Sequence, residues 1–297
     1  MKNFKRFVVA VDVNATGRAL SEGSIRAIRQ AEWIAAHTGG TVTLVHSSSD
    51  DRIVETEKGG WGVVHEGFSA DALHQLEQEV ERLREMDLAA ELSIRREKPF
   101  LAIVREAIEK RADLVLMGKH DELLDGARIG SVAIKVMRKC PTPVWVVKPG
   151  ADPAPKVIVA ATDLSPVGRR AVEYGAFVAK EFGSELHVVH AYQITMEAQM
   201  QGGAAVEALK TTIMKSVKTH LEGIEFAKPP VLHVGSDAPS HALLEADTKL
   251  KPGLFVMGTI SRSGIPGLLM GNTAEKVLHR LRGSLLVVKP EDFVSPL

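Results

Sequence analysis

The feature that most constrains this chain is that it runs through the same pattern twice. "FVVAVDVNATGRA" at 7–19 is answered by "VIVAATDLSPVGRRA" at 157–171, each an apolar run halted by an aspartate, Asp12 or Asp163. The correspondence continues in order: "VTLVHSS" with "LHVVHAY", "LVLMGKH" with "LFVMGTI", and "GSVAIKVMRKCPTPVWVVKP" with "GNTAEKVLHRLRGSLLVVKP". A duplication that keeps its order implies two domains of one fold. They are read as 1–149 and 155–297, joined by "PGADPAP", whose composition is that of a linker. A chain of 297 residues also exceeds the usual single-domain size.

Within each half, short Val-rich apolar runs alternate with longer amphipathic segments. "DALHQLEQEVERLREM" shows the second type, with Leu73, Leu76, Val80 and Leu83 at helical spacing and charges between them. Such alternation implies a parallel sheet covered by helices on both faces. The nearly unbroken apolar character of "FVVAV", "VIVAA" and "LLVV" agrees with strands buried on both sides. The expected fold is α/β: two similar, doubly wound, parallel five-stranded domains of Rossmann-like type. In an open parallel sheet, ligands bind beyond the carboxyl ends of the strands, where the strand order reverses. Asp12 and Asp163 follow the first strand of each half, His46 and His190 end the second, and Gly118 and Gly258 end the fourth.

After Gly258 the chain runs "TISRSGIPGLLMGN" and returns to helix at Asn272. Glycines let a backbone approach a ligand closely, and the unpaired N–H groups of a helix start attract anions. Gly271, Asn272 and Thr273 could therefore contact a phosphate, with Ser261, Ser263 and Gly264 donating hydrogen bonds and Arg262 supplying positive charge. The competing reading is structural: Asn272 caps the helix, Glu275 reaches back as in a capping box, and Arg262 meets only water. Asp163 is equally open, because "TDLSP" places Ser165 and Pro166 as N-cap and first helical residue.

The order of these pieces resembles the universal stress protein family, and the duplication resembles its tandem-domain, E-type members, over essentially the whole chain. Nucleotide-binding members carry Gly, two residues, Gly, nine residues, then Gly-Ser or Gly-Thr after the fourth strand. The second half matches at Gly258 and Gly271 but has Ser261 for the middle glycine and Asn272 for the hydroxyl residue. The first half keeps Gly118, Gly130 and Ser131, puts Asp121 at the middle glycine and is one residue short. Asp121 and Asp125 add negative charge where a polyphosphate would lie, so the second half is the expected anion site. The resemblance further implies the strand order 3-2-1-4-5, Asp163 near the adenine or ribose with Asp12 as its counterpart, and an internal pseudo-dimer of the two domains. ATP or another adenine nucleotide is the implied cofactor, with Mg2+ only if it arrives with the nucleotide.

Several classes of function find no support. Lys+Arg and Asp+Glu both total 37, so no charge excess argues for a nucleic-acid or membrane partner. No P-loop, dinucleotide fingerprint or nucleophile elbow occurs. The histidines form no metal signature: His187 and His190, three apart on a predicted strand, point to opposite faces. No catalytic residue and no metal ligand is assigned, and His46 and His190 read as packed or hydrogen-bonded strand ends. Cys140, the single cysteine, reads as a buried thiol in a reducing, cytoplasmic compartment, with no signal peptide preceding the chain. Met196, Met200 and Met214 read as core filling or as the border of an apolar pocket, and residues 50–73 as a flap or domain contact. The last strands, "VWVVKP" and "LLVVKP", suggest contacts between halves and between chains, hence a homodimer.

The expected function is that of a cytosolic stress-response sensor that binds an adenine nucleotide or another small anionic molecule in its second domain and answers to protein partners of unspecified kind. Two rivals stand beside it. One is a ligand-free interaction scaffold with relic loops. The other is a carrier or slow hydrolase of an apolar, acidic, lipid-like ligand.

Overall fold

The computed structural model describes residues 4–14, 17–47, 51–55, 61–65, 70–119, 129–194, 196–259 and 277–297. The chain divides into two compact units between Pro153 and Ala154. The first contains β1 (Arg6–Val11), α1 (Glu22–Thr38), β2 (Thr41–Ser47), β3 (Asp51–Glu55), β4 (Trp61–His65), α2 (Ala70–Glu85), β5 (Ala89–Arg95), α3 (Pro99–Glu109), β6 (Leu114–Gly118), α4 (Ser131–Lys139) and β7 (Val144–Val147). Its main strands lie in the order β5-β2-β1-β6-β7, every neighbour parallel. The second contains β8 (Val157–Ala161), α5 (Pro166–Phe182), β9 (Glu185–Ala191), α6 (Met196–Met200), α7 (Gly203–Leu221), β10 (Val231–Gly235), α8 (Pro239–Leu250), β11 (Leu254–Gly258) and β12 (Ser284–Val288). Its order, β10-β9-β8-β11-β12, is parallel throughout and repeats that of the first unit. In each unit the order reverses beside the first strand, between β1 and β6 or between β8 and β11.

The central strands are apolar through their interior positions because both their faces are covered. Val8, Val9, Leu114, Val115 and Leu116 are fully buried in the first unit, as are Val159, Ala160, Leu254, Phe255 and Val256 in the second. The first helix of each unit is bounded in the same way. Ser21 and Ser165 accept the N–H of Ser24 and Gly168, and Gly39 and Gly183 close the far ends at φ 65 and 68. Such ends satisfy donors and acceptors that the helix itself leaves unpaired. Ser165 and Pro166 thus take the capping positions that their sequence suggests.

Three regions differ from expectation or add to it. β3 and β4 form an antiparallel hairpin in the segment read as a flap, inserted between β2 and α2. The corresponding place in the second unit, between β9 and α7, holds α6. Met196 and Met200 are 76% and 83% exposed, so neither fills the core; a five-residue helix has too little surface to bury two long side chains. His46 and His190 are buried strand-end staples as expected, their Nδ1 atoms bonded to the carbonyls of Val11 at 3.0 Å and Thr162 at 2.9 Å. Among the described residues no helix is long and apolar enough to cross a membrane.

Gly118, at the end of β6, has a packing reason to be glycine. A Cβ there would lie 1.9 Å from the carbonyl oxygen of Gly23, in the first turn of α1. Gly258 stands at the same place in the second unit, where a Cβ would come within 2.8 Å of Val167 in α5. By contrast, a Cβ on Gly130 would meet nothing within 4 Å, and its φ of −63 suits any residue. Gly118→Ala should therefore destabilise the protein by about 1–3 kcal/mol, the cost of forcing atoms into a packed site. Gly130→Ala meets no steric conflict and should cost only the N-cap preference of glycine over alanine, about 0.5–1 kcal/mol. Urea unfolding of the two variants beside the parent checks the contrast.

Candidate functional site

The carboxyl ends of β1 and β6 open onto a cavity of about 530 Å³ in the first unit. Ala10, Val11, Val45, Ile103 and Met117 give it an apolar wall, and Asp12 lines it as well. Asp12 owes its position to α1. The Ser24 hydroxyl donates to Asp12 Oδ1 at 2.7 Å and accepts the Asp12 N–H at 2.7 Å, while the Ser21 hydroxyl also donates to Oδ1. The carboxylate is thereby fixed at the strand end by the residues that begin the helix.

The start of α4 borders the same cavity, with Gly130, Ser131, Val132 and Ala133 among its lining residues. Gly130 is the N-cap, and among the described residues no side chain caps the helix. The first turn of α4, with its unpaired N–H groups and the positive end of the helix dipole, therefore borders the cavity. A largely apolar cavity bordered by an acid and by a helix N-terminus can hold a flat or aliphatic body. The acid suits a hydroxyl or amine donor and the helix start suits a small anion. The structure thus brings together Asp12, Gly118, Gly130 and Ser131, the four first-half residues singled out by the sequence.

In the second unit, Asp163 and Gly258 are described, whereas Ser261, Arg262, Ser263, Gly264, Gly271, Asn272 and Thr273 lie outside the described residues, as do Asp121 and Asp125 of the first. Asp163 is exposed. Its Oδ1 accepts the N–H of Ser165 at 3.0 Å and the Ser165 hydroxyl. Gly168 occupies the helix position that Ser24 has in the first unit. A Cβ there would fall 2.7 Å from Asp163 Oδ1. The aspartate is held in both units, but by one serine in the second and two in the first.

Sequence reasoning missed His220. It reaches from the end of α7 to Thr162, with Nε2 and Oγ1 3.1 Å apart, and Thr162 Oγ1 also accepts the N–H of Leu164 at 3.1 Å. Arg169 ties the same helix end down, donating to the carbonyls of His220 and, at 2.7 Å, of Glu222. No pattern in the sequence marks this contact, which joins residues 58 apart. Among the described residues, Asp237, His241 and Glu245 approach closely enough to share a metal ion. All three are exposed, and Glu245 is bonded to Lys249 at 2.5 Å.

Burial, reinforced by the Arg169 guanidinium, holds the His220 imidazole below the ordinary histidine value. His233 is lowered likewise by burial and then by His187. The unfolded chain then binds protons that the folded chain refuses, so stability is lost as pH falls through about 6.5 and below. His220→Gln, which keeps a polar partner for Thr162, should lessen the loss between roughly pH 7.5 and 5.5. Urea midpoints across that range check it, and an unchanged slope would speak against His220 as a source.

The sequence model of the universal stress protein family matches residues 3–148 and again 155–289. Universal stress protein E of Photorhabdus laumondii is 25% identical over an alignment covering 100% of this chain and 98% of that protein. Universal stress protein E of Escherichia coli K12 is 28% identical, covering 67% of this chain and 68% of that protein. A crystal structure of a protein from Pseudomonas aeruginosa PAO1 shares the fold, with a TM-score of 0.76 at 21% identity, covering 98% of this chain and 95% of that one. The duplicated α/β unit that the sequence announces is therefore the universal stress protein domain, and the chain belongs to that family as a tandem member similar to universal stress protein E.

Proposed function

We propose that the protein binds an adenine nucleotide, or another small molecule with an anionic end, and serves in a stress response as a sensor rather than as a fast enzyme. The observation that carries this reading is the cavity at the strand reversal of the first unit, lined by both Asp12 and the start of α4. Its apolar wall suits a purine ring, the carboxylate suits ribose hydroxyls or a ring amine, and the helix start suits a phosphate. The mechanism proposed is one of binding and orientation, in which the Ser24 hydroxyl holds the Asp12 carboxylate in place at the cavity.

The second domain holds the nucleotide more tightly in this proposal. Support for that comes from sequence alone: Ser261, Arg262, Ser263 and Asn272 bring donors and a cation where the first loop brings Asp121 and Asp125. Asp163 then meets the ribose or adenine, as Asp12 does in the first domain. Mg2+ takes part only as the companion of a bound polyphosphate.

Calorimetry of the full chain with ATP, ADP and AMP is the direct test, and absence of binding at millimolar ligand would sink the proposal. Arg262→Ala is expected to weaken nucleotide binding about tenfold or more, as losing one charge-assisted contact does. Gly130→Asp, which sets a carboxylate at the start of α4, should abolish only the weaker site. If Gly130→Asp costs more than Arg262→Ala, the first domain is the principal site.

A further inference from the structure

The sheet of the second unit ends on β10, and this outer strand is bare where its counterpart in the first unit is guarded. The Tyr192 N–H donates to the Gly235 carbonyl at 2.9 Å, so Gly235 turns its backbone groups toward β9. Backbone groups alternate sides along a strand. Val231 and His233 therefore also face β9, while Leu232 and Val234 direct their N–H and C=O groups away from the sheet. Among the described residues no hydrogen bond reaches those outward groups. The strand reads "VLHVG", without a proline or a carboxylate, lysine or arginine, and Val231 is 41% exposed.

β5, the outer strand of the first unit, is protected. Arg84 Nε donates to the Ala90 carbonyl at 3.0 Å. Glu91 is held by Lys110 at 2.6 Å, and Arg95 is paired with Glu106 and Glu109. Charges and side chains over an edge are how sheets avoid pairing with one another. The same fold thus carries one guarded edge and one open edge.

We propose that β10 is a self-association edge, pairing antiparallel with β10 of a second copy across a two-fold axis through His233. Leu232 would exchange both backbone hydrogen bonds with Val234 of the second copy, and Val234 with Leu232. His233 would face its own counterpart at the position where side chains of an antiparallel pair come closest. The argument for a second copy as occupant is that the open groups are arranged symmetrically about one residue, so the edge is complementary to itself. Two uncharged strands also bring no like charges together. His233 is placed for this by its bond to His187, with Nε2 and Nδ1 2.8 Å apart, and His187 in turn lies 3.3 Å from Glu185.

Sedimentation of the full chain over roughly 1–200 μM covers the range in which a small interface equilibrates. The mass is expected to rise from 32.1 kDa toward twice that value. Val234→Pro removes an outward N–H where an edge strand tolerates proline, and His233→Lys sets two ammonium groups face to face. Each should weaken the dimer about tenfold or more, with circular dichroism reporting whether the variant is folded. A parent that stays at 32.1 kDa throughout, or a dimer that persists in the folded variants, overturns the proposal. Should Val234→Pro unfold, His233→Lys alone decides.

Discussion

A central parallel strand spends its backbone hydrogen bonds on two neighbours and both its faces on helices, so its end is the part left for chemistry. The candidate site of this protein follows from that constraint. Asp12 sits one residue and Asp163 two residues beyond a strand whose interior is sealed. The helix that begins a few residues later then fixes the carboxylate with the same serines that cap it. Cap and site share one group of hydrogen bonds. The two readings that the sequence leaves open for Asp163, turn former and ligand contact, are therefore compatible in physical terms.

The two units solve one folding problem with different local chemistry. Ser24 grips Asp12 from inside α1, whereas Gly168 has no hydroxyl to offer Asp163, which bonds to Ser165. The second unit adds an imidazole at the end of its first strand, through His220 and Thr162, and locks the donor helix with Arg169. In the first unit, Leu20 at the same level bonds instead to Gln75 of α2, through its N–H at 3.0 Å. These substitutions leave the strand order untouched because they lie beyond the hydrogen-bonded ladder. They change which polar groups a ligand would meet.

Much of this was legible in the sequence, for identifiable reasons. The repeat, the apolar strands and the amphipathic spacing of α2, with Leu76, Val80 and Leu83 buried, are periodic signals that burial imposes directly. Capping by Ser165 is local and was equally readable. What escaped depends on contacts between distant residues. Gly118 looks like a ligand-facing glycine, and only the structure reveals Gly23 of α1 against it. His220 gives no signal until α7 is folded onto β8. The hairpin of β3 and β4 is built from five-residue runs too short to establish a period, and the exposure of Met196 and Met200 runs against their hydrophobicity.

A duplicated fold is in effect an experiment run twice on one chain. What recurs, such as a serine N-cap and a left-handed glycine on the first helix or a histidine stapling the second strand to the first, is what the architecture demands. What differs marks where the architecture is indifferent. The connection after the second strand holds a two-stranded hairpin in one unit and a single helical turn in the other, yet both sheets continue in the same order beyond it. That junction is where this scaffold accepts foreign sequence, and where a reporter or binding module could be grafted without disturbing the strands that carry the site.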